Sequence, residues 1–224
     1  MTTAAVPDTR PTPTSIAVLT VGYLFGGFAA GIGLGFVIGA PGMSVVNLVR
    51  DVLAAILAVA CMTAAGAAWG RGVALRVGAP DGRRATIAGA SSFGPTALVV
   101  GLILTGVETI VVGGGRSPSI PIHVLYGLLF VPGSFVVASV SALILGIGLG
   151  RRGPALARLA ITTGIAAAVA YLAIYLVMDF IGWRVGAPGA ARRATMLVVT
   201  GLGCLGAAIA GGTAMGSVLL RRAR

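Results

Sequence analysis

Long apolar segments follow one another along almost the whole of this 224-residue chain. Hydrophobic residues make up 57% of the sequence and charged residues only 9%, which is too little polar surface to cover a water-soluble globule of this size. The mean hydropathy of +1.04 points the same way. The sequence therefore predicts an integral membrane protein whose surface contacts the lipid bilayer.

The length of the apolar segments predicts helices. Each segment has roughly 20 to 28 residues, and about 20 helical residues at a rise of about 1.5 Å cross a hydrocarbon core of about 30 Å. Strands of a membrane barrel would instead alternate apolar and polar residues. We expect an all-α protein with six transmembrane helices in one bundle, at residues 16–40, 52–70, 86–112, 123–150, 154–183 and 195–220.

Short polar segments flank the predicted transmembrane domain at residues 16–220. The composition of residues 1–15, rich in Pro and Thr, predicts a disordered N-terminal tail. Residues 221–224 form a basic C-terminal tail. The connections between the segments are short, so we expect no separate soluble domain.

The charge of the chain is set by arginine. All 16 basic residues are Arg and the formal net charge is +11, but they are spread over the connections and form no single patch, which argues against nucleic acid as a partner. With six spans, eleven of the 16 arginines lie on the side of the two termini. The positive-inside rule then places both termini in the cytoplasm. The use of Arg without Lys suggests a GC-rich bacterial genome, and hence the cytoplasmic membrane of a bacterium.

Two short stretches of the chain nearly repeat each other. Arg-Val-Gly-Ala-Pro occurs at residues 76–80 and at 184–188, followed by Arg-Arg-Ala-Thr at 83–86 and at 192–195. The copies follow the second and fifth predicted spans. Two three-helix repeats, at 16–115 and 123–220, would therefore have opposite orientations in the membrane, as in many transporters. Parallel placement through a re-entrant fourth segment, and chance similarity in a sequence rich in Ala, Gly and Arg, are the alternatives.

Glycines spaced four apart predict the faces through which the helices pack, because small residues let backbones approach closely in the membrane. Such faces serve either as sliding surfaces of a transporter or as static contacts within or between protomers. The predicted packing residues are Gly27, Gly31, Gly35, Gly39, Gly146, Gly150, Gly212 and Gly216.

Ionisable residues inside apolar segments are costly and are therefore candidates for substrate or ion binding. The alternative role is interfacial ion pairing that anchors helix ends, since the acids among them lie near span ends and none clearly lies at the bilayer midplane. The single histidine lacks the Cys, His or carboxylate partners that a metal site needs. The candidate residues are Asp51, Glu108, Asp179 and His123, all expected toward the outer face.

No motif in the sequence indicates catalysis. A P-loop, HExxH and GxSxG are all missing, so we expect neither an enzyme nor a bound metal or cofactor. Cys61 and Cys204 lie inside apolar segments and are interpreted as buried hydrophobic residues. Trp69 is expected at a membrane interface, and Tyr171 deeper, facing the bundle.

Two functional hypotheses remain. The first is a small-solute or ion transporter or channel. The second is a non-catalytic membrane subunit or scaffold that packs through its glycine ladders against a partner in a larger complex. The expected protein partner is either a second copy of the chain or a membrane partner subunit.

Overall fold

The computed structural model describes residues 11–38, 44–113, 122–185 and 190–221. Within the helices, side-chain surroundings are described at residues 13–31, 33–34, 52–96, 98–99, 129–178 and 198–220. The regular structure in these ranges is helical throughout. The helices are α1 (Pro13–Ile38), α2 (Ser44–Arg76), α3 (Gly82–Gly113), α4 (Ile122–Gly148), α5 (Pro154–Val185) and α6 (Ala190–Leu220).

Five of these helices are long and apolar enough to cross a membrane in the part of the chain that the structure describes: α1, α2, α4, α5 and α6. Large apolar side chains remain exposed along them, such as Ile165 at 52% and Val169 at 60% on α5. Side chains of this kind are expected to face lipid in a membrane protein. The described part of the chain is therefore all-α and has the helices of a membrane protein, and a sixth span through α3 stays a prediction.

The helices extend beyond the predicted spans where polar residues continue the helical backbone. α2 begins before residue 52 and continues through Arg71 to Arg76. α1 begins at Pro13, where Thr12 caps it by accepting a hydrogen bond from the Ser15 N–H at 3.2 Å. The spans were predicted from apolar residues alone, whereas helical hydrogen bonding continues through the polar residues that flank them.

Glycines in the left-handed region end two of the helices. Gly78 has φ +65°, and the Ala79 N–H donates to Ala74 O at 2.9 Å just after α2. Gly150 has φ +74°, and the Arg151 N–H donates to Gly146 O at 2.8 Å just after α4. Both are Schellman turns, in which a glycine terminates a helix. The predicted fourth span, 123–150, therefore extends two residues beyond α4.

The six helices form a closed ring in chain order, in which each packs against the next and α6 returns to α1. Close contacts show that neighbours are antiparallel. Gly216 lies against Pro13 and Gly212 against Ala17, so α6 runs opposite to α1. Gly148 at the end of α4 lies against Ala85 at the start of α3. The first residues of α1 and the last residues of α6 therefore lie at the same end of the bundle.

The core is concentrated toward that same end. Trp69 and Val73 of α2 are fully buried with Leu145, Leu159 and Leu219 from three other helices. A smaller cluster deeper in the bundle surrounds a residue of α5, Tyr171.

Candidate functional site

The arginine-rich end of the bundle is the most strongly charged surface in the described part of the chain. It contains the C-terminal ends of α2, α4 and α6 and the N-terminal ends of α3 and α5. Eight arginines with described side chains lie there, seven of them exposed: Arg71, Arg76, Arg83, Arg84, Arg151, Arg152, Arg158 and Arg221, of which Arg151 is half-buried.

A single carboxylate lies at this end among the described side chains. Asp81 pairs with Arg84, with 2.9 Å between Oδ2 and Nε, and its Oδ1 accepts the Arg84 N–H at 3.1 Å as the N-cap of α3. The pair is solvent-exposed, so it stabilises the fold by less than about 1 kcal/mol. One carboxylate against eight arginines leaves this end strongly positive.

The predicted ion-binding residues share the other end of the bundle. Asp51 lies in the first turns of α2 and His123 at the start of α4, whereas Glu108 and Asp179 lie in the last turns of α3 and α5. The antiparallel order of the helices brings these four backbone positions to one end. Their side chains fall outside the described set, so a common site remains a prediction.

The first predicted glycine ladder contacts a neighbour within the chain. A Cβ on Gly27 would lie 2.6 Å from Ala65 Cβ, and one on Gly31 would lie 3.0 Å from Ala58 Cα, both on α2. These two glycines therefore let α1 approach α2 closely. Gly35 lies in α1 with its surroundings undescribed, and Gly39 lies outside the described residues.

The other predicted glycines divide between helix contacts and a turn. Gly212 and Gly216 of α6 face α1, and a Cβ on Gly216 would lie 2.9 Å from Pro13 Cα. Gly146 of α4 faces Leu156 and Leu159 of α5. Gly150 lies in the turn after α4, where a Cβ would meet nothing within 4 Å.

The sequence analysis did not predict the closest helix contact, which lies between α2 and α3 and is called the seam below. A Cβ on Gly66 or Gly70 would collide with the backbone carbonyl oxygens of Gly89 and Ala85 respectively, and a Cβ on Gly89 would collide with the Gly66 oxygen. Backbone meets backbone along this seam. The signal was present, since Gly66 and Gly70 are four residues apart, as are Ala85 and Gly89.

Aromatic side chains hold the interior together. Trp69 is 1% exposed and its Nε1–H donates to Thr20 Oγ1 on α1 at 3.0 Å. Its ring stacks on Phe93 of α3, with centroids 4.8 Å apart. The indole therefore faces the inside of the bundle and links three helices, and its expected depth at a membrane interface stays a prediction. The expectation for Tyr171 is confirmed: it is 1% exposed and stacks with Phe130 of α4.

The repeated motif has a local structural role in its first copy. Arg76 is the last residue of α2, Gly78 forms the Schellman turn, and Pro80 follows. Glycine after a helix, followed by proline, is a general signal for a helix end. α5 likewise ends at Val185, immediately before the second Gly-Ala-Pro. α2 and α5 end at opposite ends of the bundle, so the two copies of the motif follow helix ends that lie at opposite ends of the bundle.

Comparisons with protein-family models, with characterised proteins and with solved structures find no match to this chain.

Proposed function

We propose that this protein is a non-catalytic multi-pass membrane subunit whose first helix packs against a transmembrane helix of a partner protein. The observation that carries the proposal is a stripe of small residues on the outer face of α1, formed by Gly22, Gly26, Ala29 and Gly33. All four are exposed, and a Cβ on Gly22, Gly26 or Gly33 would meet nothing within 4 Å among the described residues.

Glycine inside a helix is unfavourable by about 0.5–1 kcal/mol relative to alanine unless something else requires it. Gly27 and Gly31, on the opposite face of α1, are explained by the close contact with α2. Nothing within the described part of the chain explains Gly22, Gly26 and Gly33 in this way. A partner helix packed along them would make use of the missing side chains.

The interior supports the same proposal. Among the described side chains, the buried polar residues are Ser92 and Thr163, and the Ser92 hydroxyl donates within α3 to Gly89 O at 2.9 Å. The described part of the interior is therefore mostly apolar, which suits static assembly.

Crosslinking in native membranes tests the proposal. A photoreactive residue at Ala29 should form a crosslink to one discrete partner protein, whereas the same residue at Val169, 60% exposed on α5, should react with lipid alone. Gly26→Leu should abolish the Ala29 crosslink while the fold persists, because a Cβ there meets nothing within 4 Å among the described residues. Lipid adducts alone at Ala29, or a crosslink to a second copy of the chain, would contradict a partner subunit.

A small-solute or ion transporter or channel is the second candidate. Its supporting observation is the position of the two motif copies after helices that end on opposite faces, as inverted repeats require. Uptake into vesicles containing the purified protein should then depend on Glu108 or Asp179. Glu108→Gln and Asp179→Asn variants with unchanged flux and intact fold would remove this candidate.

We also propose that the protein resides in a bacterial cytoplasmic membrane with both termini in the cytoplasm. The support is the clustering of eight described arginines at the end of the bundle where α1 begins and α6 ends.

A further inference from the structure

A pocket opens at the arginine-rich end between the start of α5 and the end of α6. Its volume is about 60 Å³, enough for several water molecules and therefore for a small anionic group. Three arginines and four apolar residues line it: Arg151, Arg158, Arg221, Ala155, Leu159, Val218 and Leu219.

The three arginines converge on this pocket from different elements. Arg151 belongs to the connection before α5, Arg158 to the second turn of α5, and Arg221 directly follows α6. The Arg151 Nη2–H donates to the Leu219 carbonyl oxygen at 3.4 Å, which holds its guanidinium beside the pocket. A guanidinium has five N–H donors, so most of those on Arg151 remain for a ligand.

The positive charge of the pocket is not balanced among the described side chains. Asp81 is the one carboxylate there, and it is paired with Arg84 on α3. Arg158 and Arg221 have no ion pair within the part of the chain that the structure describes. Three like charges around one cavity repel each other, and an anion bound among them would relieve that repulsion.

The surface below the pocket is apolar. Ile161 and Ile165 follow Arg158 on α5 at spacings of three and four residues, and both isoleucines are about half exposed. Residues at this spacing lie on one helix face. A ligand bound at Arg158 can therefore extend along exposed apolar side chains, as the acyl chains of a lipid do.

We propose that this pocket binds the phosphate of an anionic glycerophospholipid, with the acyl chains lying along α5. Arginine suits this ligand because its planar fork donates two hydrogen bonds to phosphate oxygens. The apolar row below the pocket favours a lipid over free phosphate. The proposal stands independently of the proposed partner subunit, since the α1 stripe takes no part in it.

The test uses the full chain in nanodiscs of phosphatidylcholine containing spin-labelled phosphatidylglycerol. The fraction of immobilised label, relative to spin-labelled phosphatidylcholine, reports selectivity for the anionic lipid. Wild type should prefer phosphatidylglycerol. The double variant Arg158→Gln with Arg221→Gln should lower that preference about fivefold or more, because it removes two charge-assisted donors to the phosphate. The helical circular dichroism of the double variant should be unchanged, because both side chains are exposed.

The matched control is the double variant Arg76→Gln with Arg83→Gln. It removes the same charge from the same end of the bundle, outside the pocket, and should retain the preference. Equal losses in both double variants would mean diffuse attraction to the charged surface and would overturn the site. Displacement of the labelled lipid by millimolar inorganic phosphate, with sodium chloride at equal ionic strength ineffective, would overturn the assignment to a lipid.

Discussion

The seam between α2 and α3 is tested most directly by Gly89→Ala. The new Cβ would lie 2.9 Å from Gly70 N and 3.0 Å from the Gly66 carbonyl carbon, and nearer still to the Gly66 oxygen. Ordinary van der Waals contact begins at 3.4 Å, so the two helices must move apart. A gap of about 0.5–1 Å forfeits about a quarter to a half of the dispersion attraction between the facing atoms.

The expected cost of Gly89→Ala follows from two opposing effects. Overpacking a close contact costs about 1–3 kcal/mol, and the upper part of that range applies because backbone cannot rotate away as a side chain can. Replacing a helical glycine with alanine raises the free energy of unfolding by at most about 1 kcal/mol, because alanine has the higher helix propensity. We therefore expect the free energy of unfolding to fall by about 2 kcal/mol.

The assay is unfolding of the full chain in a mild detergent by titration with sodium dodecyl sulfate, followed by helical circular dichroism. Gly26→Ala is the matched control, because a Cβ on Gly26 meets nothing within 4 Å. Its free energy of unfolding should change by less than about 1 kcal/mol. Equal effects of the two substitutions would refute a backbone-to-backbone seam at Gly89.

Three further perturbations probe other parts of the bundle. Trp69→Phe removes the hydrogen bond to Thr20 and should lower the free energy of unfolding by about 1 kcal/mol. If the losses of Trp69→Phe and Thr20→Val simply add in a double-mutant cycle, the bond contributes nothing. Gly150→Ala should lower stability by about 1–2 kcal/mol because φ +74° is strained for a residue with a Cβ, and an unchanged unfolding curve would contradict that. In a background without native cysteines, an impermeant thiol reagent should label Ala187→Cys in intact cells and Ala79→Cys only after permeabilisation; labelling of both in intact cells would refute the antiparallel order.

Much of the architecture was predictable because it depends on local composition. Apolar length alone marked the positions of six helices, with errors only at their ends. The end of α2 at Gly78 is likewise local, since a glycine followed by proline stops a helix wherever it occurs. The buried position of Trp69 was not predictable, because an indole near the end of a span suits either an interface or an interior hydrogen bond, and the partner hydroxyl is distant in sequence.

The glycines of α1 illustrate which contacts could not be predicted from the sequence. Spacing predicts Gly27 as a packing residue, but Gly22 and Gly26 are also four residues apart. Spacing alone therefore does not tell which face of α1 lies inside the bundle. Only the packed bundle places Gly27 against Ala65 and leaves Gly26 uncovered. The same holds for the pocket proposed to bind phosphate, whose arginines are separated by up to 70 positions and converge only when α5 and α6 meet. Membrane insertion follows from composition because each helix forms all its backbone hydrogen bonds within itself and needs none from lipid. The choice of partner and the assembly of a site depend instead on which helix faces pack together.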